Sequence, residues 1–171
     1  ASSSTAIETL QEDDNRIDLK TGNGVSIGFN KKSGSLDFYS DQDKRILSSG
    51  PQPDFWRAPT DNEFGNKMPE ICHIWKLAGQ NKTLHSFIVD NKGKEIVIDV
   101  RYTLNDISSP YDVKYTVSDI GKIKVNASWK AGKENLPEIQ RFGMQMKLPS
   151  QYEAFTYYGR GPWENYSDRN T

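Results

Sequence analysis

One stretch decides the fold class of this chain: Tyr111-Asp-Val-Lys-Tyr-Thr-Val117, in which every second residue is apolar. Strict alternation of this kind predicts a β-strand with one buried face and one wet face. A long β-branched run, Glu95-Ile-Val-Ile-Asp-Val-Arg-Tyr-Thr-Leu104, precedes it, and Ile123-Lys-Val-Asn-Ala-Ser-Trp129 follows it. Because turn signals separate these runs, they indicate neighbouring antiparallel strands.

The same pattern continues towards both ends of the chain. Further alternating segments lie at Arg16–Lys20, Val25–Phe29, Ser35–Tyr39, Phe142–Leu148 and Ala154–Tyr158. The first two are joined through Thr21-Gly-Asn-Gly24, whose glycines can adopt the positive φ angles of a tight turn. Strands about 8–12 residues apart are typical of an antiparallel sandwich or barrel, so we predict an all-β fold.

One segment breaks the strand pattern. In Pro69-Glu-Ile-Cys-His-Ile-Trp-Lys-Leu-Ala-Gly79, the apolar residues Ile71, Ile74, Trp75 and Ala78 recur at helical spacing. Pro69 suits the first turn of a helix, and Gly79 suits a C-terminal cap. We therefore expect one short helix on the sheet. We expect residues 1–15 to be a linker or disordered leader, and residues 16–171 to belong to one domain.

Composition excludes several classes of protein. The 171 residues carry 22 Lys and Arg against 23 Asp and Glu, and no basic footprint of a nucleic-acid binder is present. No apolar run approaches the roughly 20 residues of a membrane span. Cys72 is the only cysteine, which excludes an internal disulfide and a multi-cysteine zinc site. The polar start, Ala1–Ala6, has no signal-peptide core and identifies no compartment.

The first candidate site is the stretch Pro53-Asp-Phe-Trp-Arg-Ala-Pro-Thr-Asp-Asn-Glu-Phe-Gly65. Aromatic faces stack on sugar C–H groups, and fork-shaped polar side chains bind hydroxyls. The candidate sugar-site residues are Trp56, Arg57, Asp61, Asn62, Glu63 and Gly65. The structural alternative is a buried connector, with Trp56 in the core and Arg57 paired with Asp61 or Glu63.

The second candidate is Tyr157-Tyr-Gly-Arg-Gly-Pro-Trp-Glu-Asn-Tyr-Ser-Asp-Arg169. Gly159-Arg-Gly161 is not a dinucleotide loop, because a third glycine and a following helix are missing. The residues of interest are Arg160, Trp163, Glu164, Asn165, Tyr166, Asp168 and Arg169. The structural alternative is a loop in which Arg160 and Arg169 neutralise Glu164 and Asp168.

These two motifs carry a resemblance to a known family. Phe55–Glu63 and Tyr158–Arg169 resemble signatures of the C-terminal small-chain domain, or domain 5, of glycoside hydrolase family 2 β-galactosidases. Trp75–Gly79 and Leu136–Met144 fall where that family has related segments. Order and spacing agree, and the resemblance covers nearly the whole chain after about Arg16.

The resemblance implies a galactose-mutarotase-like antiparallel supersandwich that packs against a catalytic (β/α)8 barrel. It places the segment matching Thr60–Met68 at the mouth of the active site, where it moves with ligand about a hinge at Gly65. The two catalytic glutamates belong to the barrel, so no residue here, Asp61 and Glu63 included, is assigned catalysis. The second motif is implied to be structural.

The resemblance also implies context. The family's domain continues beyond the matching region, so residues 16–171 are expected to form the N-terminal part of an incomplete domain, whose open edges favour self-association. The intact enzyme is expected to be a retaining hydrolase of terminal β-galactosides and a homo-oligomer. No cofactor is expected in this chain, whereas Mg²⁺ or Na⁺ is expected at the barrel. The bacterial cytoplasm and periplasm both stay open as compartments.

Two rival functions remain at this point. A free-standing carbohydrate-binding module would show an exposed planar row of Trp and Tyr side chains. A mutarotase-type epimerase would need a histidine acid and a carboxylate base in one pocket. Only His73, on the expected helix, and His85 are available for that role. The same two residues are too few for a convincing metal centre.

Overall fold

The computed structural model describes residues 6–154 and residue 156 of the chain. Eleven strands form three antiparallel sheets in this part, with the strand orders β1-β2-β3-β4-β5, β10-β9-β8-β7 and β11-β6. The strands are β1 Glu8–Glu12, β2 Arg16–Lys20, β3 Val25–Asn30, β4 Ser35–Asp41, β5 Lys44–Leu47, β6 Ser49–Asp54, β7 Lys82–Asn91, β8 Glu95–Leu104, β9 Ser109–Ser118, β10 Ile123–Trp129 and β11 Gly143–Lys147. The predicted all-β sandwich is confirmed.

The two larger sheets pack face to face around the main core. Side chains on β9 are buried at every second position from Ser109 to Val117, which is the alternation that the sequence shows. On the other sheet, Leu19, Ile27 and Phe29 are at most 1% exposed. The ring of Phe29 meets that of Tyr115 edge-on at 5.2 Å between centroids, so the two sheets are in direct contact.

Hydrogen bonds also join the two sheets at their ends. The hydroxyl of Tyr39 donates to the carbonyl of Gly121 at 3.1 Å, and that of Tyr102 donates to the carbonyl of Ser33 at 3.0 Å. Asn23 donates to the carbonyl of Ile120 at 2.9 Å. Each bond satisfies a carbonyl in a turn, where the sheet ladder offers no partner.

Three one-turn helices lie between β6 and β7: α1 Asp61–Gly65, α2 Met68–Ile71 and α3 Trp75–Ala78. The single helix predicted over 69–79 is therefore divided into α2 and α3. Lys67, before α2, has a left-handed φ of 57°, and this separates α2 from α1. Pro69 lies in the first turn of α2, and Gly79 follows α3 as predicted.

Gly79 is needed for a different reason from the one the sequence suggested. Its φ of −76° is an ordinary helical value and not a left-handed cap. A Cβ atom at this position would lie 2.1 Å from the carbonyl oxygen of Pro53. The absence of a side chain thus allows the end of α3 to approach β6.

The N-terminal end of the chain differs from the expected leader. Residues 8–12 form β1, which pairs with β2 even though all five side chains are exposed. Backbone pairing and the ion pair between Glu12 and Lys31 hold this strand, so the alternating apolar pattern that reveals a strand is absent. The strand predicted at 154–158 lies largely outside the described residues.

Candidate functional site

The first candidate segment leaves the end of β6 through a buried aromatic anchor. Phe55 is 1% exposed and contacts the rings of Trp75, Tyr111 and Phe142, with centroids 5.8 to 6.0 Å apart. Trp56, the next residue, is only partly buried and packs against the edge of the core. The fully buried aromatic residue of the motif is therefore Phe55, and the alternative that places Trp56 in the core is wrong.

Arg57 and Glu63 form a forked ion pair across the segment. Arg57 Nη1 donates to Glu63 Oε2 at 2.9 Å, and Nη2 donates to Glu63 Oε1. Both side chains are partly buried. The planar guanidinium matches the geometry of a carboxylate, which makes this the stronger kind of ion pair. Of the two partners considered for Arg57, the structure selects Glu63.

The same carboxylate also secures the start of α1. The backbone N–H of Thr60 donates to Glu63 Oε2 at 2.8 Å, and the Thr60 hydroxyl donates to the same oxygen at 3.1 Å. Glu63 is the third residue of the helix, so it reaches back to the N-cap as in a capping box. One side chain thus connects the helix, its cap and Arg57.

These contacts change the acidity of Glu63. The Arg57 guanidinium, followed by the backbone N–H of Thr60, lowers the pKa of the Glu63 carboxyl to about 2. Both contacts favour the charged form, because both place a donor against the oxygens. Glu63 is therefore ionised at neutral pH and is unsuited to donate a proton.

The helix held by this network extends into solvent. Asp61, Asn62 and Gly65 are exposed, and Phe64 is 61% exposed. No atom lies within 4 Å of the position that a Cβ on Gly65 would occupy. Of the predicted residues, Arg57 and Glu63 are in contact, whereas Asp61, Asn62 and Gly65 lie on the free surface of α1.

A cleft of about 380 Å³ lies beside this helix. It separates α1 and α2 from the segment 137–140, and it is lined by Glu63, Asn66, Met68, Ile71, Cys72, Pro137, Glu138 and Gln140. The far wall is fixed by the Trp75 indole N–H, which donates to the carbonyl of Pro137 at 3.1 Å. Gln140 donates to the sulfur of Cys72 at 3.2 Å.

Sequence reasoning did not single out the far wall of this cleft. Glu138 and Gln140 belong to a segment without regular periodicity, and they approach α1 only through the folding of the chain. The signal available was Leu136–Met144, which was noted for its resemblance to the family and not for its chemistry.

Other candidate groups do not assemble into a site in the described residues. His73 and His85 are both exposed, and His85 is paired with the Thr103 hydroxyl at 2.7 Å. Within residues 6–154 and 156, no group of three or more His, Cys, Asp or Glu side chains could hold a metal ion. None of the helices in that part is long and apolar enough to span a membrane.

The second motif lies outside the described residues. All of its residues of interest, Arg160, Trp163, Glu164, Asn165, Tyr166, Asp168 and Arg169, fall there. The interpretation of this motif as structural accordingly stays a prediction.

Comparison with known proteins reveals clear relatives. Residues 21–171 match the family described as β-galactosidase small chain. The chain is 37% identical over 152 residues to a β-galactosidase from Priestia megaterium, a match that covers 88% of this chain and 14% of that protein. It is 34% identical to a β-galactosidase from Clostridium acetobutylicum, covering 82% of this chain and 16% of that protein.

A third relative is a separate small polypeptide. The β-galactosidase small subunit of Latilactobacillus sakei is 30% identical over 162 residues, and the match covers 82% of this chain and 50% of that subunit. The chain thus spans about half of that subunit and a much smaller share of the long β-galactosidases. With the family match covering residues 21–171, the chain belongs to the β-galactosidase small chain family.

Proposed function

We propose that this chain is an accessory domain of an enzyme that hydrolyses terminal β-D-galactosides, and that Phe55–Gly65 forms part of the mouth of its sugar site. The observation that carries this proposal is the geometry of α1. The polar surface of α1 extends into solvent. Buried Phe55 anchors the segment that leads into the helix, and the Arg57–Glu63 pair holds the helix against that segment. A helix held in this way can position a surface loop against a substrate.

The acid–base chemistry is proposed to lie elsewhere in the enzyme. A retaining glycosidase needs a proton donor of raised pKa and a nucleophilic carboxylate about 5–5.5 Å from it. Glu63 has the opposite character, because its pKa is lowered to about 2 and both of its oxygens accept hydrogen bonds. Its arrangement suits a residue that holds the loop and not one that transfers protons.

The helical side of the domain is proposed to face the rest of the enzyme. Phe64, Ile71, Leu77 and Phe142 are each at least 50% exposed, and all four lie on the helices or on the segment that packs beside them. Exposed apolar side chains in one region mark protein contacts. A relative named as a small subunit supports a unit of this kind that assembles with a larger one.

The carbohydrate-binding module has less support. That function would place Trp and Tyr side chains in an exposed row on a sheet face, but all of the described Trp and Tyr residues are buried or partly buried. The described tryptophans Trp75 and Trp129 instead pack on each other at 5.6 Å between centroids. The epimerase alternative is similarly weak, since both histidines are exposed.

Two measurements test the proposed function. The purified chain is expected to release no product from a chromogenic galactoside, and turnover that survives purification and is lost in a variant of this chain would contradict the proposal. In the intact enzyme, Glu63→Gln is expected to lower kcat/KM, by up to about 100-fold for a displacement near 1 Å.

The matched control is Asp18→Asn, which weakens the pair that Asp18 forms with Arg16 on β2. This control is expected to leave the kinetic constants unchanged. Equal kinetic effects of Glu63→Gln and Asp18→Asn would contradict a role of the loop at the sugar site.

A further inference from the structure

The outer face of the sheet β10-β9-β8-β7 carries an ordered array of charges. The strand register aligns Ser86, Arg101, Asp112 and Ser128 in one row across the four strands. Two residues further along, the same register aligns Ile88, Asp99, Lys114 and Asn126 on the same face. Side chains two apart on a strand share a face, so the rows are neighbours.

The two central strands form a checkerboard of opposite charges. On β8, Arg101 is positive and Asp99 is negative, whereas on β9 Asp112 is negative and Lys114 is positive. Arg101 pairs with Asp112 at 3.1 Å, and Lys114 pairs with Asp99 at 3.3 Å. All four side chains are about half exposed or more, so they can still contact an approaching surface.

A checkerboard of this kind is complementary to itself. Consider a two-fold axis that runs parallel to the strands, over the midline between β8 and β9 and midway between two stacked sheets. It places β8 of one copy opposite β9 of the other. Arg101 then faces Asp112 of the second copy, and Lys114 faces Asp99. We propose that this sheet face is a docking surface for a second copy of the chain, forming a symmetric, electrostatically matched dimer.

A third row supports the same axis. The register places Asp90 on β7 and Lys124 on β10 in one further row, at the two edges of the sheet. The proposed rotation exchanges β7 with β10, so Lys124 faces Asp90 of the second copy. An orthogonal arrangement would superpose like charges at the centre, and the charge pattern therefore selects aligned strands.

Space for the approaching side chains is present. The first two rows line a trough of about 620 Å³. Stacked sheets pack about 10 Å apart, a distance that a long basic side chain and a short acidic one span together. Such interfaces between two copies are isologous, meaning that the same patch serves on both sides.

The expected dimer is weak. Four strands about 4.8 Å apart and some ten residues long offer a flat area of roughly 500 Å². A standard stable interface buries about 800 Å² per partner, so this one lies at the transient end. Because the contacts are between exposed charges, salt is expected to weaken them strongly.

Charge-swapped variants test the proposal. One variant, Arg101→Asp with Lys114→Asp, makes the central face acidic, and another, Asp99→Lys with Asp112→Lys, makes it basic. Sedimentation velocity at low salt is expected to show self-association of the wild-type chain, monomers for each variant alone, and dimers when the two are mixed. Circular dichroism and melting temperature verify that both variants are folded.

A matched control separates docking from general attraction between opposite charges. The same change in net charge is made at the pairs Arg16–Asp18 and Lys31–Glu12 on the other sheet. Arg16→Asp with Lys31→Asp, and Asp18→Lys with Glu12→Lys, are each expected to self-associate as the wild type does, with no gain on mixing.

Three results would overturn the proposal. The first is a wild-type chain that is monomeric at all concentrations tested at low salt. The second is association that persists in both charge-swapped variants or in 0.5 M salt, on the order of a 4 Å screening length. That outcome would place the contact on an apolar surface, such as the groove beside Leu36 and Met146. The third is an equal gain on mixing the control variants.

Discussion

The guanidinium of Arg57 donates to both carboxylate oxygens of Glu63, and Glu63 Oε2 also accepts a hydrogen bond from the backbone N–H of Thr60. This contact joins the two ends of the seven-residue segment Arg57–Glu63. It also explains why an apparently irregular motif contains a helix.

The anchor of the motif is expected to be Phe55 and not Trp56. Phe55→Ala should destabilise the chain by about 3–5 kcal/mol, because a fully buried ring is lost from the aromatic cluster. Trp56→Ala should cost clearly less, since Trp56 is only partly buried. Denaturant unfolding of the two variants provides the comparison, and a larger loss for Trp56→Ala would contradict it.

The ion pair is expected to respond to acid in a defined pH range. Folding lowers the pKa of the Glu63 carboxyl from 4.5 to about 2, so the charged form of Glu63 stabilises the folded state above pH 4.5. That contribution falls as the pH drops from 4.5 to 2, because the unfolded chain takes up the proton first.

Melting temperatures of the wild type and Glu63→Gln from pH 2 to pH 7 measure this effect. Their difference should be constant above about pH 5 and should shrink towards pH 2. A difference that is the same at both ends of the range would indicate that the charge of Glu63 contributes nothing.

Gly65, which ends α1, and Gly79, which follows α3, are expected to differ in their tolerance of alanine. Gly79→Ala places a Cβ atom 2.1 Å from the Pro53 carbonyl and should cost about 1–3 kcal/mol. Gly65→Ala meets no atom within 4 Å and should be neutral or stabilising by up to about 1 kcal/mol. Equal melting temperatures for the two variants would be inconsistent with the close approach of α3 to β6.

The hydrogen bond from Trp75 to Pro137 is expected to hold the far wall of the cleft. Trp75→Phe keeps an aromatic ring but removes the indole N–H, and it should cost about 0.5–1.5 kcal/mol for the bond, plus the loss of packing. Trp75→Ala should cost more, about 3–5 kcal/mol. A Trp75→Phe variant as stable as the wild type would show that the bond contributes nothing.

Sequence patterns predicted the sandwich well where burial alternates. β8 and β10 have the predicted boundaries, because one face of each strand is apolar at every second residue. β6 contains Pro51 and Pro53 and was not predicted, since prolines disrupt the usual strand signal. β7 was also not predicted, and its register shifts between Leu84 and Ser86.

The candidate site was predicted in part. The composition of Phe55–Gly65 identified the segment, and Arg57 with Glu63 was one of the two pairings considered. The sequence predicts a loop where α1 forms, although Thr60 and Glu63 have the spacing of a capping box. The opposite wall, Pro137–Gln140, is distant in the chain, and no local pattern could place it beside Asn66.

The central claim is that the Arg57–Glu63 loop serves the sugar site of an intact β-galactosidase. The most direct test is kcat/KM and melting temperature for Arg57→Ala in the intact enzyme. Arg16→Ala is the control, because Arg16 also pairs with a carboxylate, that of Asp18 on β2. We expect Arg57→Ala to lower kcat/KM, by up to about 100-fold, a loss larger than the accompanying fall in folding stability accounts for. Normal kinetics in Arg57→Ala, or an equal loss in Arg16→Ala, would contradict the account.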